Sequence, residues 1–330
     1  MMKKYFLTYG TLVASLLSLL ITGGQASAMR VSFMGSLANF DGNIPTIWSR
    51  IAVDKEMKEV ITYNPRNVDM RIFNNAGMET FRFGDNLNLY GVTDIDLGED
   101  GDIYLVYPGA EEHKILRLDY KGEPLASIDL KNFPADFLTF RPNLIQYMDG
   151  MLYLADPASL DVVVTDAEGY FQKGYHLAPE VMKIKEEQLK AEGEENSKDT
   201  GISDEIFGFC ADRDGNFFFT VPTLFVAFKY NTADGDVQIF GESGSAPGKF
   251  GVISGITTDR KGNIYIADRL RSVVMIFDSE LNFQNEFGYR GLRPGSMIVP
   301  DDVVVDDVNG LIYVAQAALR GVSVYRMIDY

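Results

Sequence analysis

Three residues with oxygen-bearing side chains could together hold a hard cation: Asp94, Asn143 and Asp302. Each lies four residues before the turn that closes a short apolar segment, so the three occupy equivalent places in the chain. Calcium prefers carboxylate and amide oxygens as ligands. The spacing therefore predicts a possible Ca²⁺ site formed by these residues. The alternative interpretation is that they are hydrated polar side chains with no metal.

The sequence lacks the residues for several other kinds of site. His113 and His176 are the only histidines, which excludes a zinc site with three histidine ligands. Cys210 is the only cysteine, so no internal disulfide can form. Because it lies within an apolar run, we interpret it as a small buried hydrophobe rather than a reactive thiol. No G-x-S-x-G motif is present. We therefore predict no catalytic residue.

Arginine offers a second kind of chemistry, because a guanidinium binds a carboxylate or phosphate with two parallel hydrogen bonds. Of the fifteen arginines, seven occur in connections that the repeat pattern places on one face: Arg66, Arg141, Arg269, Arg271, Arg290, Arg293 and Arg320. They predict a surface for an anionic ligand or an acidic protein or peptide partner. The alternative is that these arginines pair with aspartates of neighbouring turns, such as Asp156 and Asp268.

The elements that position these residues are repeated. Residues 255–288 contain four short runs rich in β-branched and aromatic residues, each closed by a polar turn, which predicts a four-stranded antiparallel sheet. A turn motif of Gly, any residue, an apolar residue and an aromatic residue marks the second strand and recurs at five places. They begin at Gly101, Gly150, Gly215, Gly262 and Gly310, with a degenerate sixth copy at Lys58.

Six four-stranded units with a period near fifty residues predict an all-β, six-bladed β-propeller. The last unit ends after its third strand, and the segment Arg30–Leu37 can supply the missing fourth strand by pairing with Val322–Arg326. This N-terminal strand would close the ring and remove two free sheet edges. The innermost strands would then begin at equivalent positions around a central channel: Arg50, Asp94, Asn143, Gly208, Gly255 and Asp302.

The motif Asp259-Arg-Lys-Gly-Asn-Ile-Tyr-Ile-Ala-Asp268, followed by an apolar third strand and Phe287-Gly288, resembles an NHL repeat. The resemblance extends over nearly the whole chain after residue 28 and implies a six-bladed propeller. The family includes binding scaffolds, partner-docking domains and lyases, and related six-bladed propellers include lactonases. Those lactonases hold a divalent cation with carboxylate and amide oxygens at the channel mouth. Where they use a glutamate in an early blade, this chain has Arg50.

The first 28 residues are predicted to be a cleaved signal peptide. Lys3 and Lys4 precede the apolar run Leu12–Ile21, and small residues ending at Ala28 follow. We therefore predict an exported protein, periplasmic or extracellular, with a propeller over residues 29–330. The formal net charge of −17 argues against nucleic acid or anionic membranes as partners and favours a monomer.

One segment interrupts the period. Residues 179–201, between blades 3 and 4, form a charged insertion with a partial apolar stripe at Val181, Met182, Ile184 and Leu189. Its first part is predicted to be a helix and its second part, from Glu192 to Thr200, a loop. It is either a solvated surface insertion or a flap over a ligand or partner.

The sequence thus favours a non-enzymatic NHL-repeat scaffold that binds a protein or peptide partner in the cell envelope. The alternative is a metal-dependent hydrolase or lyase, similar to a lactonase, with its site at the channel mouth. No cofactor is predicted apart from the possible Ca²⁺.

Overall fold

The computed structural model describes residues 29–39, 42–43, 50–84, 87–108, 113–192, 204–317 and 320–328. The predicted signal peptide, residues 1–28, lies outside these ranges, and its export function stays a prediction. The described residues form six four-stranded antiparallel sheets, as predicted. Two further short strands, β2 (Ala38–Asn39) and β3 (Gly42–Asn43), pair with each other after the first strand, β1 (Arg30–Ser36).

Each sheet is one blade, and its strands follow the chain from the centre outwards. Blade 1 is β4 (Arg50–Asp54), β5 (Glu59–Asn64), β6 (Asp69–Phe73) and β7 (Glu79–Phe83). Blade 2 is β8 (Asp94–Leu97), β9 (Ile103–Pro108), β10 (His113–Leu118) and β11 (Pro124–Ile128). Blade 3 is β12 (Leu144–Met148), β13 (Met151–Asp156), β14 (Asp161–Asp166) and β15 (Phe171–His176).

The second half of the chain repeats this arrangement. Blade 4 is β16 (Phe209–Ala211), β17 (Phe217–Val221), β18 (Val226–Tyr230) and β19 (Val237–Phe240). Blade 5 is β20 (Ile253–Thr258), β21 (Ile264–Asp268), β22 (Val273–Phe277) and β23 (Phe283–Phe287). Blade 6 is β24 (Pro300–Asp306), β25 (Leu311–Gln316) and β26 (Gly321–Ile328), with β1 as its outermost strand. Two 3-10 turns occupy Ala135–Phe137 and Pro222–Leu224.

The ring is closed by the N-terminal strand, as predicted. β1 pairs antiparallel with β26, with Val31 opposite Met327 and Phe33 opposite Tyr325. The innermost strands contact one another in the order β4, β8, β12, β16, β20, β24 and back to β4. Blade 1 therefore lies opposite blade 4 across the channel.

The turn between the first and second strands of a blade is polar because its side chains accept hydrogen bonds from the backbone of the turn. In blade 5, one carboxylate oxygen of Asp259 accepts hydrogen bonds from the backbone N–H groups of Lys261 and Asn263, both at 2.9 Å. Gly262 adopts φ +80°, which residues with a Cβ rarely adopt. We call the side of the ring with these turns between first and second strands the lower face. The upper face carries the turns between second and third strands and the connections between blades.

The core lies between the blades, where apolar side chains of neighbouring sheets pack together. Blade 1, the weakest repeat in sequence, differs because a charged group lies in its core. The side chain of Arg71 is 2% exposed and forms an ion pair with Asp69 at 2.8 Å. A buried ion pair of this kind needs both partners, because either charge alone would be costly to bury.

The first part of the insertion is a helix, α1 (Ala178–Glu192). Val181 is fully buried in the core between blades 3 and 4, whereas Met182 is 60% exposed, so the predicted apolar stripe is wrong at that position. Gln188 Nε2 donates to the Leu224 carbonyl at 2.9 Å and Lys185 pairs with Asp204 at 2.8 Å. The helix is therefore packed on the propeller. Residues 193–201 of the insertion lie outside the described residues.

Candidate functional site

The central channel contains a polar cavity of about 500 Å³. Five of the six predicted first-strand positions line it: Arg50, Asp94, Gly208, Gly255 and Asp302. Asn143 is not among its lining residues. The cavity extends down to the turns of the lower face, where Lys55, Arg213 and Arg260 contribute to its wall.

Arg50 extends across the upper mouth of this cavity. Its Nε donates to the Thr93 carbonyl at 3.0 Å and lies 3.6 Å from Asp94 Oδ1. Its guanidinium carbon is 5.8 Å from the ring centroid of Phe207, which lies two residues before the first strand of blade 4. Burial opposes the charge of Arg50, but Asp94, Asp302 and Asp301 outweigh this effect and raise the pKa of the guanidinium. Arg50 is therefore protonated, and Thr93 and Asp94 hold its guanidinium at the channel mouth.

Carboxylates surround this guanidinium and continue down the channel. Burial raises the pKa of Asp94 to about 7, although Arg50 acts in the opposite direction. Burial also raises the pKa of Asp96 to about 7, although the backbone N–H groups of Tyr147 and Leu97 favour its ionised form. Burial raises the pKa of Asp302 as well. The upper channel thus contains three carboxyl groups whose ionised forms are disfavoured by burial.

The predicted calcium ligands fit a cation poorly. Asp94 Oδ2 accepts the Ile145 N–H at 2.9 Å, and Asp302 accepts the N–H groups of Ile51 at 3.2 Å and Val303 at 3.0 Å. Asn143 Oδ1 is buried and has no hydrogen-bond partner, but Asn143 is not among the residues that line the cavity with Asp94 and Asp302. In the part of the chain that the structure describes, no group of three or more His, Cys, Asp or Glu side chains could hold a metal ion. The guanidinium of Arg50 supplies positive charge beside Asp94, where a metal ion would supply it. Binding of Ca²⁺ by Asp94, Asn143 and Asp302 stays a prediction.

Two glycines among the first-strand positions have a steric role. A Cβ on Gly208 would lie 2.4 Å from the Ser254 carbonyl oxygen, and a Cβ on Gly255 would lie 2.8 Å from the Asp302 Cα. Both distances are shorter than real Cβ contacts, so the innermost strands of blades 4 to 6 leave no space for a side chain there. At these two first-strand positions the channel wall is backbone, whereas at the equivalent positions of blades 1, 2 and 6 the side chains of Arg50, Asp94 and Asp302 line the cavity.

Two of the seven predicted arginines already have carboxylate partners. Arg269 pairs with Asp301, and its guanidinium carbon lies 3.9 Å from the Phe207 ring centroid. Arg271 forms a bidentate pair with Glu286, at 2.7 and 2.8 Å. The partners are not Asp156 and Asp268, as the sequence suggested. Those two aspartates accept backbone N–H groups, including those of Arg141 and Arg271.

The other five predicted arginines have no ion pair within the described ranges. Arg66, Arg141, Arg290 and Arg293 are exposed. Arg320 is half-buried, and its Nη1 donates to the Leu292 carbonyl at 3.4 Å. The backbone around Arg290, Arg293 and Arg320 therefore forms one sector of the upper face, between blades 5 and 6. This sector carries positive charge on an otherwise acidic chain.

The cysteine is buried, as predicted, and one histidine has an acidic partner. Cys210 is 6% exposed, and burial raises the pKa of its thiol. His176 Nδ1 lies 2.7 Å from Asp161 Oδ1 and its ring stacks on Phe137, away from the channel. The side chain of His113 lies outside the described part of the structure.

Sequence reasoning missed several residues of the mouth: Phe207, Asp96 and Asp301. A signal for Asp96 exists, because it lies two residues after Asp94 on β8 and so faces the same side. Asp301 contacts Arg269 of the neighbouring blade and Phe207 contacts Arg50 across the ring, and no local pattern in the sequence indicates such contacts.

Comparisons with known proteins identify the fold. No protein-family model matches the chain, and no curated protein matches it. Solved structures do match it along most of its length. One is a Bacteroides thetaiotaomicron protein of unknown function, with 15% identity, a TM-score of 0.62, and coverage of 91% of this chain and 76% of that one.

Two similar structures are enzymes by name. A streptogramin B lyase has 12% identity and a TM-score of 0.59, and covers 91% of this chain and 98% of its own. A gluconolactonase from Xanthomonas campestris has 13% identity and a TM-score of 0.58, with coverage of 91% and 90%. At these identities the likeness shows the six-bladed propeller fold alone. The NHL-repeat resemblance stays a prediction.

Within the described ranges, no helix has the length and apolar character needed to cross a bilayer.

Proposed function

We propose that this protein is an exported, non-enzymatic NHL-type propeller whose upper face binds a protein or peptide partner. The observation that carries the proposal is the state of the rim arginines. Arg269 and Arg271 stabilise the fold through their own carboxylates, whereas Arg66, Arg141, Arg290 and Arg293 are exposed and have no ion pair within the described ranges. A set of exposed guanidiniums on an acidic protein favours an acidic partner.

The centre of the channel mouth supports a binding role. Its central group is Arg50, which is held by Thr93 and Asp94 and stays protonated. An arginine in this state neither donates nor accepts a proton in catalysis. A metal-dependent hydrolase or lyase remains the second candidate. It is favoured by the buried Asn143 Oδ1, an oxygen with no hydrogen-bond partner.

The test is capture of partners on the immobilised protein. Residues 29–330 would be incubated with an extract of the native envelope and medium, as wild type and as the quadruple variant Arg66→Glu/Arg141→Glu/Arg290→Glu/Arg293→Glu. The matched control is Arg213→Glu, because Arg213 is an exposed arginine on the lower face. We expect proteins captured by the wild type and the control to be lost from the quadruple variant and to elute with salt. Equal capture by all three would overturn the proposal.

A further inference from the structure

Two connections on the upper face have the same backbone conformation. The 4–5 loop (residues 241–250) and the 5–6 loop (residues 288–297) have the same pattern, G-x-x-G-x-x-P-G followed by one residue and a buried apolar residue. In the first loop, Gly244 N donates to Phe250 O at 2.9 Å and Phe250 N donates to Glu242 O at 2.8 Å. In the second, the equivalent bonds join Gly291 to Met297 at 3.3 Å and Met297 to Tyr289 at 2.8 Å.

The ends of the two loops are fixed in the same way. Phe250 and Met297 are both fully buried and anchor their loops in the core. The glycines before the anchors, Gly248 and Gly295, have φ values of +77° and +79°. Both loops are therefore rigid platforms whose shape is set by glycines, proline and the buried anchor.

The exposed side chains of the two loops differ at every equivalent position. The 4–5 loop carries Glu242, Ser243, Ser245 and Ala246, and the 5–6 loop carries Tyr289, Arg290, Leu292 and Arg293. Leu292 is 76% exposed and Tyr289 is 51% exposed. Because the same backbone forms with glutamate, serine and alanine, the fold does not require tyrosine, leucine or arginine at these places.

The charges of the two loops also differ. Glu242 of the 4–5 loop pairs with Lys249 of the same loop. Arg290 and Arg293 of the 5–6 loop are exposed and have no ion pair within the described ranges. Arg320 adds a third guanidinium, because its Nη1 donates to the Leu292 carbonyl. A rigid loop that displays large apolar side chains between arginines has the composition of a binding hot spot.

We propose that the 5–6 loop is the anchor point for the partner, and that it recognises an acidic peptide segment containing a bulky apolar residue. The partner's carboxylates would pair with Arg290, Arg293 and Arg320, and its apolar residue would cover Leu292 and Tyr289. Covering the exposed leucine removes its apolar surface from water and so favours binding. This inference rests on the proposed function and adds the chemistry of the partner to it.

The experiment is selection from a random twelve-residue peptide library on the immobilised protein, followed by binding measurements with the enriched peptides. We expect enriched sequences with net negative charge and at least one Leu, Ile, Phe, Tyr or Trp. The key variant exchanges the loop side chains, Tyr289→Glu/Arg290→Ser/Leu292→Ser/Arg293→Ala. It is expected to fold, because the 4–5 loop carries those residues on the same backbone. Its affinity should fall about tenfold or more, since hydrogen bonds between charged groups are lost.

Two further variants test this inference. Arg213→Glu changes an exposed arginine of the lower face, away from the 5–6 loop, and should leave peptide affinity within about threefold. The reverse exchange, Glu242→Tyr/Ser243→Arg/Ser245→Leu/Ala246→Arg, should add a second binding site. Selection of neutral or basic peptides, or affinity unchanged by the loop exchange, would overturn the inference and leave the scaffold proposal standing. No enrichment of any peptide would count against both.

Discussion

The guanidinium of Arg50 lies over the ring of Phe207, with 5.8 Å between the guanidinium carbon and the ring centroid. Arg50 belongs to blade 1 and Phe207 leads into blade 4, so the contact crosses the ring between opposite blades. Arg269 of blade 5 lies on the same ring at 3.9 Å. A cation–π contact of this kind contributes about 0.5–2 kcal/mol. The upper mouth of the channel is therefore occupied by side chains of the protein itself.

Removing this arginine should destabilise the fold in a pH-dependent manner. In Arg50→Gln, Asp94 loses its ion pair within a largely buried site, which should lower the free energy of unfolding by about 2–4 kcal/mol at pH 8. The loss should be smaller at pH 5, because Asp94 can then be protonated. Urea unfolding at both pH values measures the effect. The matched control, Arg213→Gln, should change the stability by less than about 0.5 kcal/mol. Equal losses at both pH values would contradict the electrostatic explanation.

Because the pKa values of two channel carboxyl groups are raised, we expect the protein to be more stable in mild acid than above pH 7. Asp94 and Asp96 have pKa values of about 7 in the folded state, above the usual value of about 4. The folded state therefore binds more protons than the unfolded state between pH 4 and 7. The free energy of unfolding falls as the pH rises through this window and levels off above it.

Asp96→Asn is the cleanest variant for this prediction, because no ion pair joins Asp96 to another residue within the described ranges. We expect a melting temperature close to that of the wild type at pH 5 and above it at pH 8. Thermal melts between pH 4.5 and 8.5 would measure both curves. Parallel curves for the two proteins would show that Asp96 does not titrate near pH 7.

Cys210 should be protected from modification in the native protein. It is 6% exposed, and burial raises the pKa of its thiol, so little thiolate is present. We expect a coloured disulfide reagent to react slowly in buffer and at once in denaturing urea. The matched control is Thr223→Cys, because Thr223 is exposed on the surface and should react in buffer. Fast reaction of Cys210 in buffer would contradict its burial.

The closing strand should be essential for stability. Phe33 of β1 packs against Tyr325 with 5.4 Å between ring centroids, and Val31 packs on the same core. A chain that begins at Leu37 should melt well below one that begins at Met29, because β26 loses its partner and becomes a free edge. Addition of a peptide of residues 29–36 should restore part of the difference. An unchanged melting temperature would show that β1 does not close the ring.

Local patterns in the sequence predicted most of the fold. The turn motifs predicted six blades, and the incomplete sixth unit predicted the pairing of β1 with β26. One boundary lies inside an apolar run: the third strand of blade 4 begins at Val226, because a 3-10 turn at Pro222–Leu224 is followed by Phe225 in the left-handed region, at φ +54°. Such a turn has no clear signal in an apolar run.

The candidate site was predicted less completely, because its contacts join distant segments. The pairs of Arg269 with Asp301 and Arg271 with Glu286 link different strands and connections, so the spacing of charges along the chain does not indicate them. The proposed role of the 5–6 loop rests on the backbone conformation that it shares with the 4–5 loop, which only the structure shows. The residues themselves, Arg290 and Arg293, were predicted from their position in that connection.

The most direct test of this account is whether the channel mouth binds a metal. Thermal melts of the wild type, Arg50→Gln and Asp302→Ala would be recorded in calcium, in zinc and in EDTA. A cation bound only to the native state would stabilise it by about 2.7 kcal/mol at a hundredfold excess over its dissociation constant. Because Arg50 already supplies the positive charge at the channel mouth, we expect the same melting temperature for the wild type in all three conditions. A rise with calcium or zinc in the wild type that is lost in Asp302→Ala would contradict it and favour the metal-dependent enzyme.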